Sequence, residues 1–334
     1  MNEIWIEKDL EIVLKQKLDK VFQNNTVKAN SIFSDYTQAR KKTLEIATEI
    51  NRVETDLTDH SPKHIANVMD NTFKLIKNHL DSLNFAEIYF LCLTIQFHDV
   101  GNIDGRKNHQ NKIADIYKSI RGNSSEYRPE RDRLFKAVAA HCGDNNGDRD
   151  TLKKLDESSN LLDSPLRMRE LSAVLRFADE LAEGPQRTND YLLEKDKVTA
   201  ESIIYHAYAK VTNIYIDNNR ISISYDIDLN DEDVTKIKLE DLLSYIYTRI
   251  IKLDEERRYC KYYTTLLEPY KKTQVSFNIT KDGYPIETGI PDIQLNDKFN
   301  LNGADDGALL SLLKEYPQLN IETIVETVAK YKMS

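Results

Sequence analysis

Residues 87–101 read EIYFLCLTIQFHDVG, and this stretch decides how the fold is interpreted. The part that ends at Phe97 is apolar on every side, a pattern typical of a helix buried in a protein core. His98 and Asp99 follow directly, and Gly101 breaks the helix just beyond them. The stretch therefore predicts a core helix with an imidazole and a carboxylate side by side at its end.

The sequence around this core helix has helical patterns from the start of the chain to about residue 200. Ser61 and Pro62 predict one helix start, because a hydroxyl can accept a bond from a free N–H and proline suits the first helical position. The spacing of apolar residues predicts helices over 11–22, 36–52, 62–80, 87–97, 108–120, 130–141 and 167–182. Residues 1–200 are therefore expected to form a mostly α, helical domain.

The pattern changes after residue 200. Alternating β-formers over 208–216 and 220–228 predict a β-hairpin. The segments expected to follow are a helix over 239–266, a strand over 274–280, a Gly/Pro/Asp-rich connector over 282–307 and helices over 308–315 and 321–332. Residues 201–334 are therefore expected to form a small α+β appendage. The apolar, tyrosine-rich face of the helix over 239–266 either packs within the chain or forms a homo-oligomer contact.

Several helical stripes in the first 200 residues carry a polar group where an apolar residue is expected. Asp179, for example, continues the stripe of Leu171 and Leu175, so its carboxylate should point into the core. A buried carboxylate is costly unless a metal or another cation compensates it. The candidate ligands are His64, His98, Asp99, His109, His141 and Asp179. Imidazole and carboxylate together suit one or two divalent ions, among manganese, iron, nickel, zinc and magnesium.

The alternative for any single inward histidine is a core residue whose hydrogen bonds are satisfied. The His98-Asp99 pair is more specific, because adjacent groups at a helix end can bind one cation from two sides. His60 is either a pocket residue or part of the helix entry. Cys142 is either a soft ligand or a small apolar residue in the packing. His79 and His206 are expected to be ordinary surface or strand residues.

Basic residues flank these candidate ligands in the sequence. Each of them alone is most often a solvated charge, but one or two beside a metal would bind phosphate. The candidates for binding a substrate are Arg106, Lys107, Arg176 and His60, with Arg187 also close in sequence.

The composition excludes some function classes. The formal net charge is −9 and the basic residues are scattered in pairs, which argues against binding of long nucleic acid but allows a small anionic ligand. The apolar run over 88–97 is about half the length of a membrane span. The acidic N-terminus has no basic signal region, and the three cysteines form no CxxC motif or disulfide framework. We therefore expect a cytoplasmic protein without a membrane partner.

Three segments in this order resemble the HD superfamily of metal-dependent phosphohydrolases, over about residues 55–190. They are DHSPKHIANV at 59–68, FHDVGN at 97–102 and LRFADEL at 175–181. The first and last look closest to a branch of HD domains found in prokaryotic conflict systems. In one departure, Asn102 occupies a position where many members have a lysine that helps to hold phosphate.

The resemblance implies an HD-type helical bundle and a ligand set. His64, His98, Asp99 and Asp179 would bind a first metal. His109 and His141 match the positions that two-metal members add, with Asp99 bridging. With a single metal, these two histidines would instead move a proton to the leaving oxygen.

The function expected from these observations is hydrolysis of a nucleotide phosphoester by metal-activated water. The substrate would be a dNTP, a cyclic or oligonucleotide, or a nucleoside monophosphate. One alternative is a module that binds metal and nucleotide as a sensor, without turnover. A second is a helical adaptor that binds no metal.

Overall fold

The computed structural model describes residues 5–53, 58–105, 109, 112–142, 148–188, 199, 202–217, 219–297 and 305–331. The chain divides into two compact units that interleave along the sequence. Unit 1 comprises Met1–Glu54, His60–Ala182 and Cys260–Leu267, and unit 2 comprises Thr55–Asp59, Glu183–Tyr259 and Glu268–Ser334. The predicted mostly α fold with a small C-terminal sheet is confirmed.

Unit 1 is a bundle of helices with one short hairpin. Its elements are α1 (Asp9–Val21), α2 (Thr26–Val53), α3 (Pro62–Ile76), α4 (Phe85–Phe97), α5 (Ile113–Arg121), α6 (Arg128–His141), β1 (Ser159–Leu161), β2 (Ser164–Leu166) and α7 (Met168–Glu180). Short 3₁₀ segments at Lys77–Ser82 and Val100–Asp104 follow α3 and α4.

The predicted core helix is α4, and every one of its residues is buried. Asn84 caps its start, since the Asn84 side chain accepts bonds from the backbone N–H groups of Ala86 and Glu87. The Glu87 carboxylate accepts in turn from the Asn84 backbone N–H, which completes a capping box. Around α4 pack α1, α2, α6 and α7. A helix covered on every side must be apolar all round, as the sequence predicts.

The predicted start of α3 is also confirmed. The Ser61 hydroxyl accepts a bond from the Lys63 N–H, and Pro62 is the first helical residue. This start fixes the position of His64 in the first turn, where its side chain is fully buried.

Unit 2 combines helices with a mixed sheet. Its elements are α8 (Ile203–Val211), β3 (Thr212–Ile216), β4 (Arg220–Asp228), α9 (Glu232–Thr235), α10 (Leu239–Tyr263, of which the last turn belongs to unit 1), β5 (Lys272–Lys281), β6 (Tyr284–Pro285), β7 (Ile293–Asn296), α11 (Asp305–Glu315) and α12 (Ile321–Lys330). The sheet order is β3-β4-β5-β6, and β7 also pairs with β5. The β3–β4 hairpin is antiparallel, whereas β4 and β5 run parallel with Arg220 opposite Lys272.

The sheet of unit 2 buries one of its faces. Ile221, Ile223, Tyr225 and Ile227 alternate along β4 and are all buried, as the alternating pattern predicts. From α10, the buried Tyr247 ring lies edge-on to Phe277 of β5, with 6.2 Å between ring centroids.

The structure corrects the sequence interpretation at several points. Residues up to Val211 in the first arm of the predicted hairpin are helical, because Ala207 and Ala209 favour helix and outweigh the alternation of the β-formers. His206 is therefore a fully buried helical residue, and its expected place on the surface or in a strand is wrong. The connector predicted over 282–307 contains the strands β6 and β7.

The sequence interpretation also missed the β1–β2 hairpin. Leu162 and Asp163 form its turn with φ values of 50° and 59°. Two strands of three residues are too short to produce a visible alternation. Within the described part of the chain, no helix has the length and apolar character needed to cross a membrane.

Candidate metal centre

The ends of three helices of unit 1 bring four predicted ligands together. His64 lies in the first turn of α3, His98 and Asp99 directly follow α4, and Asp179 lies in the last turn of α7. One ligand atom from each residue lies within 4.8 Å of all the others. We name this set the first cluster.

The distances within the first cluster suit a shared cation. His64 Nε2 lies 3.2 Å from His98 Nε2 and 3.1 Å from Asp179 Oδ1. Asp99 Oδ2 lies 3.4 Å from His64 Nε2 and 3.3 Å from His98 Nε2. Ligands bound at about 2.0–2.2 Å from one ion are separated from each other by roughly 3.0–3.5 Å. The four side chains therefore fit a divalent cation.

The backbone sets the orientation of the His98 ring. Its Nδ1 lies 2.7 Å from the Ile95 carbonyl oxygen, which can only accept a hydrogen bond. The neutral imidazole therefore carries its proton on Nδ1, and the lone pair of Nε2 points at the cluster. The Nδ1 of His141 is bonded in the same way to the Val138 carbonyl oxygen.

A second cluster lies on the other side of Asp99. It consists of His109, His141 and Cys142, whose ligand atoms lie within 4.8 Å of one another. Asp99 Oδ1 is 3.5 Å from His109 Nε2 and 3.7 Å from His141 Nε2. The two carboxylate oxygens of Asp99 thus face different clusters, as they would in a residue that bridges two cations.

Gly101 makes room for His109. A Cβ atom at position 101 would overlap the His109 carbonyl oxygen and carbonyl carbon, which are backbone atoms and cannot turn away. Only glycine allows this close approach of the two backbone segments.

We expect Gly101→Ala to displace His109 and to lower the amount of metal that the chain binds. The first cluster contains no atom of His109, so its ion should be retained. The measurement is elemental analysis of protein loaded with metal and then desalted. Gly122→Ala is a control for backbone strain alone, since Gly122 has a φ of 74°, which disfavours alanine, but a Cβ there meets nothing within 4 Å. Full retention of both ions in Gly101→Ala would contradict the assignment of His109.

The charges of the two clusters are coupled. Burial would lower the pKa of His98, but the neighbouring carboxylates, first Asp99 and then Asp179, outweigh it and raise that pKa to about 10. Burial would raise the pKa of Asp99, but the imidazoles around it, His98 foremost, hold it well below its usual range. Protonated imidazoles thus compensate the carboxylates, and a bound cation would supply the same positive charge in their place.

Cation binding is therefore expected to release protons and to strengthen as the pH rises. His98 is protonated at neutral pH in the cation-free protein and must become neutral to bind a metal. In the cation-free protein, the protonated His98 imidazole stabilises the fold through the nearby carboxylates. This contribution is complete below about pH 6.5, the ordinary pKa of a histidine, and is lost as the pH rises through about 10. Calorimetric titration in buffers of different ionisation enthalpy measures the protons released. Binding without proton release would contradict this coupling.

The remaining predicted site residues are placed as follows. His60 Nε2 lies 3.6 Å from Asp99 Oδ2, so His60 borders the first cluster. The buried Arg176 guanidinium donates to the Thr151 hydroxyl at 2.8 Å. Arg106 and Lys107 lie outside the described residues. Asn102 is buried, and its side-chain oxygen has no hydrogen-bond partner among the residues that the structure describes.

The sequence alone did not indicate which side chains hold the residues of the second cluster in place. The Thr151 hydroxyl, which accepts from Arg176, donates to the Ala140 carbonyl oxygen at 2.7 Å and lies 3.3 Å from the Cys142 carbonyl oxygen. Arg176 therefore reaches the main chain beside His141 through Thr151. A threonine in an ordinary polar segment carries no signal of this role.

The helical bundle places imidazoles and carboxylates together at its helix ends. These side chains form a candidate site for a divalent metal ion. The family model named HD-CE matches residues 54–252, more than half of the chain, and the protein belongs to this family. The resemblance to HD-type domains is thereby confirmed, and it fits a metal-dependent hydrolase in general. The comparisons with curated proteins and with solved structures gave no match.

Proposed function

We propose that the protein is a metal-dependent phosphohydrolase that cleaves a phosphoester of a small nucleotide. The observation that carries the proposal is the position of Asp99, whose two oxygens face two separate groups of imidazoles at distances of 3.3 to 3.7 Å. Paired cations on either side of one carboxylate are a recurrent arrangement in the hydrolysis of phosphate esters.

The ligand sets follow from the two clusters. His64, His98, Asp179 and Oδ2 of Asp99 would hold one cation, while His109, His141 and Oδ1 of Asp99 would hold the other. Divalent ions there, among manganese, iron, nickel, zinc and magnesium, lower the pKa of water and offset negative charge on phosphoryl oxygens.

The differences in exposure indicate where a substrate enters. The side chains of His64 and His98 are fully buried, whereas that of Asp179 is 25% exposed. His60 and His109 are also partly exposed, at 12% and 14%. A phosphoryl group would therefore approach from the side of Asp179, His60 and His109. With a single bound cation, His109 or His141 would be free to donate a proton to the leaving oxygen.

The overall charge supports a small substrate. A protein with a formal net charge of −9 repels long nucleic acid, whereas a metal-bearing pocket is locally positive. We keep Arg106 and Lys107 as candidates for phosphate contacts and assign Arg176 to positioning of the second cluster through Thr151. The scissile bond would be a phosphodiester, a monoester or the phosphate bond of a dNTP.

The test is an assay of the metal-loaded protein against a panel of cyclic nucleotides, oligonucleotides, nucleoside monophosphates and dNTPs. We expect turnover of at least one class, and loss of that turnover and of the ion of the first cluster in Asp179→Ala. The matched control is Asp19→Ala, which removes an exposed carboxylate from α1. Tight binding of a nucleotide that stays intact would favour the sensing alternative. Absence of stoichiometric metal from the wild-type protein would overturn both functions.

A further inference from the structure

The second cluster contains a thiol that the proposed ligand sets do not use. Cys142 Sγ lies 3.8 Å from His109 Nε2, and it lies 3.8 and 3.9 Å from Nδ1 and Nε2 of His141. Asp99 Oδ1 faces the Nε2 atoms of both histidines. Two nitrogens, one oxygen and one sulfur are thus grouped on this side of Asp99.

Most of these separations are close to those of a four-coordinate ion. Zinc binds sulfur at about 2.3 Å and imidazole nitrogen at about 2.0–2.1 Å, so the two donors in a tetrahedral site are roughly 3.6 Å apart. The distance from Cys142 Sγ to His109 Nε2 exceeds this by a few tenths of an ångström. At His141 the sulfur is as close to Nδ1 as to Nε2, so Sγ must turn toward Nε2 to share an ion with that nitrogen. The oxygen–nitrogen distances at Asp99, 3.5 and 3.7 Å, are close to the roughly 3.4 Å expected for these donors.

The local backbone explains how two adjacent residues reach one point. His141 is the last residue of α6, and Cys142 leaves the helix with φ −65° and ψ 134°, an extended conformation. The Thr151 hydroxyl lies at this exit, where it donates to the Ala140 carbonyl oxygen at 2.7 Å and lies 3.3 Å from that of Cys142. Arg176 donates to Thr151 in turn. These bonds hold the main chain of Cys142 beside His141.

The other two cysteines differ from Cys142. Cys92 and Cys260 are completely buried, and neither belongs to a group of potential ligands among the described residues. Cys92 lies in the middle of the core helix α4. It provides a matched control for any effect of removing a thiol.

We propose that Cys142 binds the second cation as a thiolate, so that this half of the centre selects zinc or another thiophilic ion over magnesium and manganese. Thiolate ligands favour zinc and softer ions, whereas carboxylate-rich sites suit magnesium and manganese. Binding forms a metal–sulfur bond and releases the thiol proton to solvent. The inference rests on the proposed function only in assuming a second cation beside Asp99.

Cobalt(II) titration of the full-length protein tests the bond directly. We expect a thiolate-to-cobalt charge-transfer band that grows with the second equivalent of cobalt. The band should be absent from Cys142→Ser and unchanged in Cys92→Ala. Circular dichroism and elemental analysis show whether each variant is folded and how much cobalt it binds.

The outcomes separate this inference from the proposed function. Two bound cobalt ions without the charge-transfer band in wild type, or a band that persists in Cys142→Ser, would overturn the role of Cys142 and leave hydrolysis untouched. A normal band in a protein that hydrolyses no nucleotide would support Cys142 and count against the proposed function.

Metal preference gives a second readout. In a competition between zinc and manganese, we expect Cys142→Ser to lower the preference of the second site for zinc by about 10-fold or more, since even the loss of a residue that only orients a metal ligand costs about 10- to 100-fold in metal affinity. An unchanged zinc preference in a folded Cys142→Ser variant would overturn the proposal.

Discussion

Asp99→Ala is expected to abolish hydrolysis and to remove both cations. Asp99 is the residue whose two oxygens reach both clusters, at 3.3 Å from His98 Nε2 and 3.5 Å from His109 Nε2. Charge stabilisation by a bound cation is worth several kcal/mol, so its loss should lower kcat by about 10³-fold or more. Steady-state kinetics and elemental analysis measure the two effects.

Two further variants test whether Asp99 itself bridges the two cations. His141→Ala removes a residue of the second cluster alone and should retain the ion of the first cluster. Asp179→Ala removes a residue of the first cluster and should have the opposite effect. If Asp99→Ala kept both ions, or lost no more metal than either of these variants, Asp99 would not be the bridge.

Glu130→Ala is expected to lower the stability of unit 1 by about 3–5 kcal/mol, because it leaves a buried arginine without its carboxylate. Glu130 accepts bonds from Tyr89 Oη at 2.6 Å, Tyr117 Oη at 2.8 Å and Arg121 Nε at 3.1 Å. The side chains of Arg121 and Glu130 are 4% and 8% exposed. Denaturant unfolding at constant pH measures the change in the free energy of unfolding.

Tyr89→Phe is the control for this network. It removes one hydroxyl but keeps the ring and the ion pair, so it should cost only about 1–3 kcal/mol. The network joins α4, α5 and α6, and α4 and α6 lead to His98 and His141. A loss in Glu130→Ala no greater than that in Tyr89→Phe would show that the buried ion pair does not stabilise the bundle.

Local sequence signals were sufficient to predict much of the fold. The uniform apolarity of residues 87–97 predicted α4 because a helix surrounded by other helices has no solvent face. Ser61 and Pro62 predicted the start of α3 because capping depends on neighbouring residues alone. Residues 203–211 were harder, since alternating tyrosines and alanines suit either a strand or a helix and burial in unit 2 decides between them.

Part of the candidate site could be predicted from the sequence. The positions of His64, His98, Asp99 and Asp179 on apolar helices, together with the family pattern, indicated one shared site, and the structure brings these residues together. Their binding of a cation remains the proposal. The division of the Asp99 oxygens between two clusters depends on how α4 and α6 pack, which no local pattern specifies.

The sequence identified Cys142 as a possible soft ligand but favoured its packing as a small apolar residue. Its side chain reaches His109 only because the chain leaves α6 at that residue, beside Thr151. These contacts join segments that are distant in sequence, so no local pattern indicates that the thiol lies near His109.

Anomalous diffraction from crystals of the zinc-loaded protein would test the central claim most directly. We predict two anomalous peaks per chain on either side of the Asp99 carboxylate, one among His64, His98 and Asp179 and the other beside His109 and His141. No peak within bonding distance of Asp99, or zinc bound only at other positions, would contradict it.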